Sequence, residues 1–149
     1  GRYGARLMQQ LRNAGIEVLG VDFDPETIRD LHKLRQPVRY GDGEDPSFLE
    51  SLPLPHARWA ITTFPQWESN RAFLSALKEA GFKGRVAGVV RDDLHAEALG
   101  AAGVERVLNP FNDAADYAAR SFAAEIAFED VHRRDAAAPS ALARPAKEP

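Results

Sequence analysis

Apolar residues recur along the chain in two alternating patterns, one with helical spacing and one with the short continuous runs of buried strands. The first helical stripe consists of Leu7, Met8, Leu11 and Ala14. Gly15 follows this stripe, at the place where a helix C-cap takes positive φ. The next run, 16–21, has little polar alternation, and it therefore predicts a strand that is buried on both faces.

The alternation continues through the middle of the chain. Asp24-Pro25 and Asp45-Pro46 each join an N-cap residue to a proline in the first helical position, so each pair predicts the start of a helix. In the first of these helices we expect three side chains to face inward, namely Ile28, Leu31 and Leu34. Further strands are predicted at Val38–Tyr40, Trp59–Thr62, 86–90 and 104–108, and further helices at 65–80 and 92–102.

This order predicts an α/β fold of the Rossmann-like, doubly wound parallel type, in which ligands bind outside the carboxyl ends of the strands. A final helix of about 20 residues is predicted from Pro110 onward. Its apolar stripe consists of Phe111, Ala115, Ala118, Phe122 and Ile126. From about residue 135 the sequence is rich in Ala and Pro without periodicity, so we expect a domain over 1–133 and a disordered tail over 134–149.

The composition of the chain says little about its fold but narrows the range of possible functions. The 149 residues are 44% hydrophobic and 28% charged, which is ordinary for a soluble domain. A net charge of −3 gives no electrostatic reason to expect nucleic acid as a partner. The chain has no cysteine, and its four histidines show no metal-ligand spacing. Neither a nucleophile elbow nor a catalytic carboxylate pair is present, so no catalytic residue and no metal ligand is predicted.

The chain begins with Gly1-Arg2-Tyr3-Gly4, which matches the second half of the dinucleotide-binding fingerprint G-x-G-x-x-G. Gly1 would allow the backbone to approach a pyrophosphate, and Gly4 would allow the helix to pack tightly on the sheet. The helix N-terminus and the Arg2 guanidinium would both attract phosphates. Since the first half of the fingerprint normally ends a strand, we expect the natural protein to continue upstream as an apolar strand that ends in Gly-x.

Asp22 closes the predicted strand 16–21, which is the second strand when the expected upstream strand is counted. It follows the glycines by about 20 residues. A carboxylate there accepts hydrogen bonds from ribose hydroxyls and repels a 2′-phosphate. Because no Arg adjoins Asp22, an adenosine group without a 2′-phosphate is favoured. Phe23 follows directly, and Asp24 is better interpreted as a helix cap.

Other candidate ligand contacts stand where later strands end. Gly41 and Asp42 end the third strand, and Asp42 would either accept from the adenine amine or form an ordinary turn. Thr62 and Thr63 are predicted to face the same crevice and to bond ribose or phosphate. Arg91 has two possible roles: it would contact a phosphate or a neighbouring subunit, or it would form a surface ion pair.

Together these motifs resemble the N-terminal regulatory domain called RCK, KTN or TrkA-N, and especially the version fused behind Kef-type cation/proton antiporters. The likeness extends over most of residues 1–125. It is carried by Gly1-Arg2-Tyr3-Gly4, Leu19-Gly20-Val21-Asp22-Phe23-Asp24-Pro25, Val38-Arg39-Tyr40-Gly41-Asp42, Asp45-Pro46, Asn70, Ala101-Ala102-Gly103-Val104 and Leu108-Asn109-Pro110-Phe111. Many members carry an Ala-Arg pair in the strand that reads Gly88-Val89-Val90 in this chain.

The resemblance implies a dimeric domain at the cytoplasmic face of the cell membrane that binds NAD(H) or an adenine nucleotide of the AMP/ATP type. Its occupancy would gate a potassium or other cation transporter or channel, either fused upstream or present as a separate subunit. The predicted cofactor-binding residues are Gly1, Arg2, Tyr3, Gly4, Asp22, Phe23, Gly41, Asp42, Thr62, Thr63 and Arg91. The alternative is the cofactor half of an NAD-dependent oxidoreductase, which would need a second domain with an acid/base residue.

Overall fold

Helices and parallel strands alternate along residues 1–137, which are the residues that the computed structural model describes. Their order is α1 (Arg2–Asn13), β1 (Gly20–Asp22), α2 (Pro25–Lys33), β2 (Val38–Tyr40), α3 (Pro46–Glu50), β3 (Trp59–Thr62), α4 (Trp67–Glu79), β4 (Arg85–Val89), α5 (Asp93–Ala101), β5 (Arg106–Leu108) and α6 (Pro110–Ala137). A 3₁₀ turn, Leu54–His56, precedes β3. The predicted α/β class and the element order are therefore confirmed, and the unit Gly1–Pro110 contains every strand of the described residues.

The strands form two separate parallel sheets. β1 pairs with β2, so that Asp22 lies beside Tyr40. β4 lies between β3 and β5, and Thr62 lies beside Gly88. Within the described residues β1 and β3 do not pair with each other. Because every pair is parallel, the carboxyl ends of the strands in each sheet lie at one edge.

The predicted strand 16–21 was wrong in both length and burial. Only Gly20–Asp22 forms a strand, and Ile16, Leu19 and Val21 are exposed. Among the described residues β1 pairs with β2 alone, so it lies at the edge of its sheet, where side chains are covered less completely than in a central strand.

Leu34 is also exposed, in contrast to the inward position predicted for it. The last residue of α2 is Lys33, and Leu34 is the C-cap. Arg35 follows with a φ of +53°, in the left-handed region, so the helix does not continue beyond Leu34.

Within residues 1–137, three clusters of buried apolar side chains fix helices on the sheets. Met8, Ile28 and Val38 join α1 and α2 to β2. A second cluster centres on α4 and consists of Leu49, Phe73, Ala76 and Leu77, and a third packs around α5 and consists of Val90, Leu99 and Val104. A Cβ at Gly20 would lie 2.9 Å from the Met8 sulfur, so α1 lies directly against β1. This packing places the first turn of α1 at the carboxyl edge of β1.

The α6 helix has 28 residues, more than the 20 or so predicted, and it is about 42 Å long at the usual helical rise. Its Phe111, Phe122 and Ile126 side chains are exposed. Residues 134–137, which belong to the predicted tail, are helical and continue α6. Residues 138–149 lie outside the described residues, so the boundary at 133 stays a prediction. Within 1–137 no helix combines the length and apolar character needed to cross a membrane.

Candidate functional site

The first turn of α1 lies beside the carboxyl end of β1. Gly1 is the N-cap of α1, and its nitrogen, which is the terminal amino group of the given sequence, is 3.3 Å from Oδ2 of Asp22, the last residue of β1. The first N–H groups of a helix have no acceptor within that helix, and the helix dipole makes this end positive. The structure therefore brings together the glycine turn and the acidic residue that the sequence pattern paired across 21 positions.

The same turn of α1 touches the segment that follows β3. A Cβ built on Gly4 would lie 2.7 Å from Oγ1 of Thr63 and 3.6 Å from its Cβ. Only a residue without a side chain allows α1 to approach this closely. Asp22 and Thr63 thus flank the first turn of α1, the former at the end of β1 and the latter just beyond the end of β3.

Two carboxylates near the end of β1 have different partners. Asp22 Oδ1 accepts the N–H of Asp24 at 2.9 Å, and the Asp22 side chain is about 21% exposed, so it is oriented but reachable. Asp24 instead accepts the Thr27 hydroxyl at 2.8 Å and the Glu26 N–H at 2.9 Å. The Thr27 hydroxyl, and after it the Glu26 N–H, lower the pKa of Asp24 below its usual value. The interpretation of Asp24 as a helix cap is confirmed.

The end of β2 joins the same region through its backbone. Gly41 donates its N–H to the carbonyl oxygen of Asp22 at 3.1 Å, and a Cβ on Gly41 would overlap the Phe48 ring. Asp42 is exposed, and its Oδ1 accepts the Glu44 N–H at 2.8 Å, which is the turn geometry that the sequence left open. Its contact with an adenine ring stays a prediction.

The two threonines at the end of β3 have different environments. Thr62 is only 2% exposed, and its hydroxyl donates to Oδ1 of Asn70 at 2.8 Å. It is therefore buried, in contrast to the prediction that it faces the crevice. Thr62 is the last residue of β3 and points toward α4, whereas Thr63 lies just beyond the strand and against α1. Of the pair, the half-buried Thr63 is the one at the candidate site.

The remaining predicted contacts occupy the surface. Arg2 and Tyr3 lie exposed in the first turn of α1, and Phe23 is exposed directly after Asp22. Arg91 is exposed two residues after the end of β4. Their contacts with a cofactor stay predictions. Within residues 1–137 no group of three or more His, Cys, Asp or Glu side chains could hold a metal ion.

Sequence reasoning missed a contact between α4 and the start of α5. The Trp67 and His95 rings stack with centroids 5.7 Å apart, and His95 Nδ1 lies 2.7 Å from Oδ2 of Asp92. Asp92 also caps α5 by accepting the His95 N–H, and this bond lowers the pKa of Asp92. The Asp-x-x-His spacing at a predicted helix start was the available signal.

The family follows from a direct match. A family model described as the TrkA-N domain matches residues 1–110. The chain belongs to the TrkA-N domain family. The matched residues contain every predicted site residue, from Gly1 to Arg91. The resemblance inferred from the sequence motifs is thereby confirmed.

Two relatives of this TrkA-N domain are potassium transport proteins. The Ktr system potassium uptake protein C of Bacillus subtilis is 25% identical over 116 residues, which are 77% of this chain and 52% of that protein. The glutathione-regulated potassium-efflux system protein KefC of Escherichia fergusonii is 30% identical over 106 residues, which are 71% of this chain and 17% of that protein. The chain therefore spans about half the length of the first relative and a smaller part of the second.

Solved structures share the TrkA-N fold. The NAD(P)-binding domain of an exopolyphosphatase-related protein from Archaeoglobus fulgidus aligns with a TM-score of 0.69 and 27% identity, over 85% of this chain and 91% of that one. The Kef CTD of Shewanella denitrificans in AMP-bound form aligns with a TM-score of 0.67 and 19% identity, over 91% of this chain and 88% of that one. The Rossmann-like fold is therefore shared across both neighbours.

Proposed function

We propose that this TrkA-N domain binds NAD(H) or an AMP/ATP-type adenine nucleotide at the first turn of α1. The observation that carries the proposal is the 3.3 Å distance between the Gly1 nitrogen and Asp22 Oδ2. It places a phosphate-attracting helix N-terminus next to a carboxylate that can accept ribose hydroxyls. In this arrangement the phosphates contact the first turn and Arg2, the ribose contacts Asp22, and the adenine lies toward Gly41 and Asp42.

The two structural neighbours support this choice of ligand. One is described as NAD(P)-binding and the other as AMP-bound, and both ligands contain an adenosine 5′-phosphate group. That group needs one phosphate site and one ribose site, which are the two features that Gly1 and Asp22 bring together here. The Asp22 carboxylate would repel a 2′-phosphate, so a ligand without one is favoured.

We infer further that nucleotide occupancy regulates a membrane transport protein for potassium or another cation. The support is the similarity to a potassium uptake protein and a potassium-efflux protein. In this role the domain acts as a dimer at the cytoplasmic face of the membrane, and it binds its ligand without chemical turnover. Binding can shift a conformational equilibrium only by the difference in affinity between the two states, typically about 1–3 kcal/mol.

The experiment measures cation and proton flux in vesicles that contain the complete transport protein, with and without NADH or AMP. Wild type is compared with Asp22→Ala and with Asp30→Ala, a matched control because Asp30 is an exposed carboxylate on α2 that pairs with Lys33. We expect nucleotide to change the flux of wild type and of Asp30→Ala at the same concentration, and that of Asp22→Ala only at a higher one. Flux that ignores nucleotide in all three, together with turnover of NAD(H) on a substrate, would favour the oxidoreductase alternative.

A further inference from the structure

Asn70 holds together the segment that connects β3 to α4. Its side chain is only 3% exposed, and its Oδ1 accepts the Thr62 hydroxyl at 2.8 Å. Its Nδ2 donates to the backbone carbonyls of Phe64 and Gln66, each at 3.0 Å. A side-chain amide nitrogen carries two hydrogens, so both donors are used. One side chain on α4 therefore binds the segment 63–66 at its middle and at its end, and binds the strand that precedes it.

Thr62 completes this network from the strand side. Its hydroxyl donates to Asn70 and also accepts the Phe64 N–H at 3.4 Å. Burying a hydroxyl and an amide costs free energy unless both are hydrogen-bonded, so the segment is most stable in the one conformation that satisfies them. Throughout residues 1–137 every buried side-chain nitrogen and oxygen has such a partner.

The segment held in this way begins with Thr63, whose Oγ1 lies against Gly4 in the first turn of α1. A rotation of the segment would move this hydroxyl relative to the N–H groups at the start of the helix. We propose that Thr62 and Asn70 are positioning residues that set the phosphate end of the nucleotide site without touching the ligand. This inference rests on the proposed function, and it gives Thr62 a different role from the ligand contact predicted from the sequence.

The position of the network determines which part of a ligand it affects. Thr63 approaches α1 from the three-stranded sheet, whereas Asp22, the proposed ribose contact, belongs to the two-stranded sheet. Loss of the network should therefore weaken the binding of ligands that have a pyrophosphate and leave the binding of a nucleoside without phosphates unchanged. A residue that only stabilised the fold would change both affinities together.

The test is calorimetric titration of the complete protein with ADP and with adenosine. Thr62→Val keeps the shape of the side chain and removes its hydroxyl, while Thr62→Ser keeps the hydroxyl. We expect Thr62→Val to bind ADP roughly tenfold more weakly and adenosine within roughly twofold of wild type, and Thr62→Ser to restore ADP binding. Asn70→Asp places a carboxylate oxygen against two carbonyl oxygens, so it should also weaken the binding of ADP.

A core variant serves as the control for stability. Val104→Ala removes methyl groups from the buried cluster around α5, and it should lower the thermal midpoint without changing the ratio of ADP to adenosine affinity. Equal losses for both ligands in Thr62→Val, or no loss of ADP affinity despite faster hydrogen exchange at the Phe64 N–H, would overturn the positioning role alone. If wild type bound neither ligand, the proposed function would fail and this inference with it.

Discussion

Gly4 in α1 and Thr63 after β3 approach so closely that a Cβ at position 4 would lie 2.7 Å from the Thr63 hydroxyl oxygen. This contact joins the helix that carries the proposed phosphate-binding turn to the end of β3 in the three-stranded sheet, while Gly1 joins the same turn to Asp22 in the two-stranded sheet. The first turn of α1 is therefore held from both sides, and its exact place depends on the absence of a side chain at residue 4.

The first prediction concerns this contact. Gly4→Ala should lower the free energy of unfolding by about 1–3 kcal/mol, because the new methyl group has no space beside the Thr63 oxygen. Thr63→Ala in the same chain should recover much of this loss, and Thr63→Ser should not, because serine keeps the oxygen. Urea denaturation of the single and double variants measures the coupling. Additive effects in the Gly4→Ala/Thr63→Ala pair would contradict the close approach.

The second prediction concerns the ligand. NADPH should bind roughly ten- to hundredfold more weakly than NADH, because a 2′-phosphate placed beside Asp22 costs about 1–3 kcal/mol. Asp22→Asn removes the charge and should narrow this difference. Calorimetric titration of the complete protein with both cofactors is the measurement. Equal affinities in wild type would refute the role of Asp22.

The third prediction compares two glycines. Gly41→Ala should destabilise the fold by about 1–3 kcal/mol, since the added Cβ would overlap the Phe48 ring. Gly100→Ala is the matched control: it lies within α5 with no atom near its Cβ position, so alanine should stabilise the helix by up to about 1 kcal/mol. Thermal unfolding gives both values. Phe48→Leu should partly rescue Gly41→Ala, and a failure to do so would place the strain elsewhere.

The fourth prediction concerns acid stability. Hydrogen bonds from the Thr27 hydroxyl and the Glu26 N–H lower the pKa of Asp24 from its ordinary value of 3.8. A carboxyl whose pKa is lower in the folded state contributes stability above its unfolded pKa and loses it as the pH falls through the folded pKa. Between pH 7 and pH 3, wild type should therefore lose stability relative to Asp24→Asn, which keeps a cap acceptor but cannot ionise.

Urea midpoints of both chains across this pH range provide the measurement for Asp24. Thr27→Val removes the largest cause of the lowered pKa and should make the pH dependence shallower. Parallel stability curves for wild type and Asp24→Asn would show that the cap does not titrate with folding.

Local chemistry was readable from the sequence because it depends on neighbours in the chain. Asp24-Pro25 and Asp45-Pro46 predicted two helix starts, since an N-cap and a proline act within one turn. The separation of Gly1 from Asp22 predicted their meeting, because one helix and one strand span a nearly fixed distance. The same order of motifs identified the TrkA-N family.

Tertiary structure alone decided which of these side chains are accessible. The sequence presented Thr62 and Thr63 as equivalent, and only the packing of α4 buried the first against Asn70 and left the second beside Gly4. It also presented 16–21 as a buried strand, whereas within residues 1–137 β1 pairs with β2 alone and Val21 is exposed. Periodicity along a chain reports which residues share a face. Whether that face is covered depends on elements that are distant in sequence, so only the fold could show which side chains are buried.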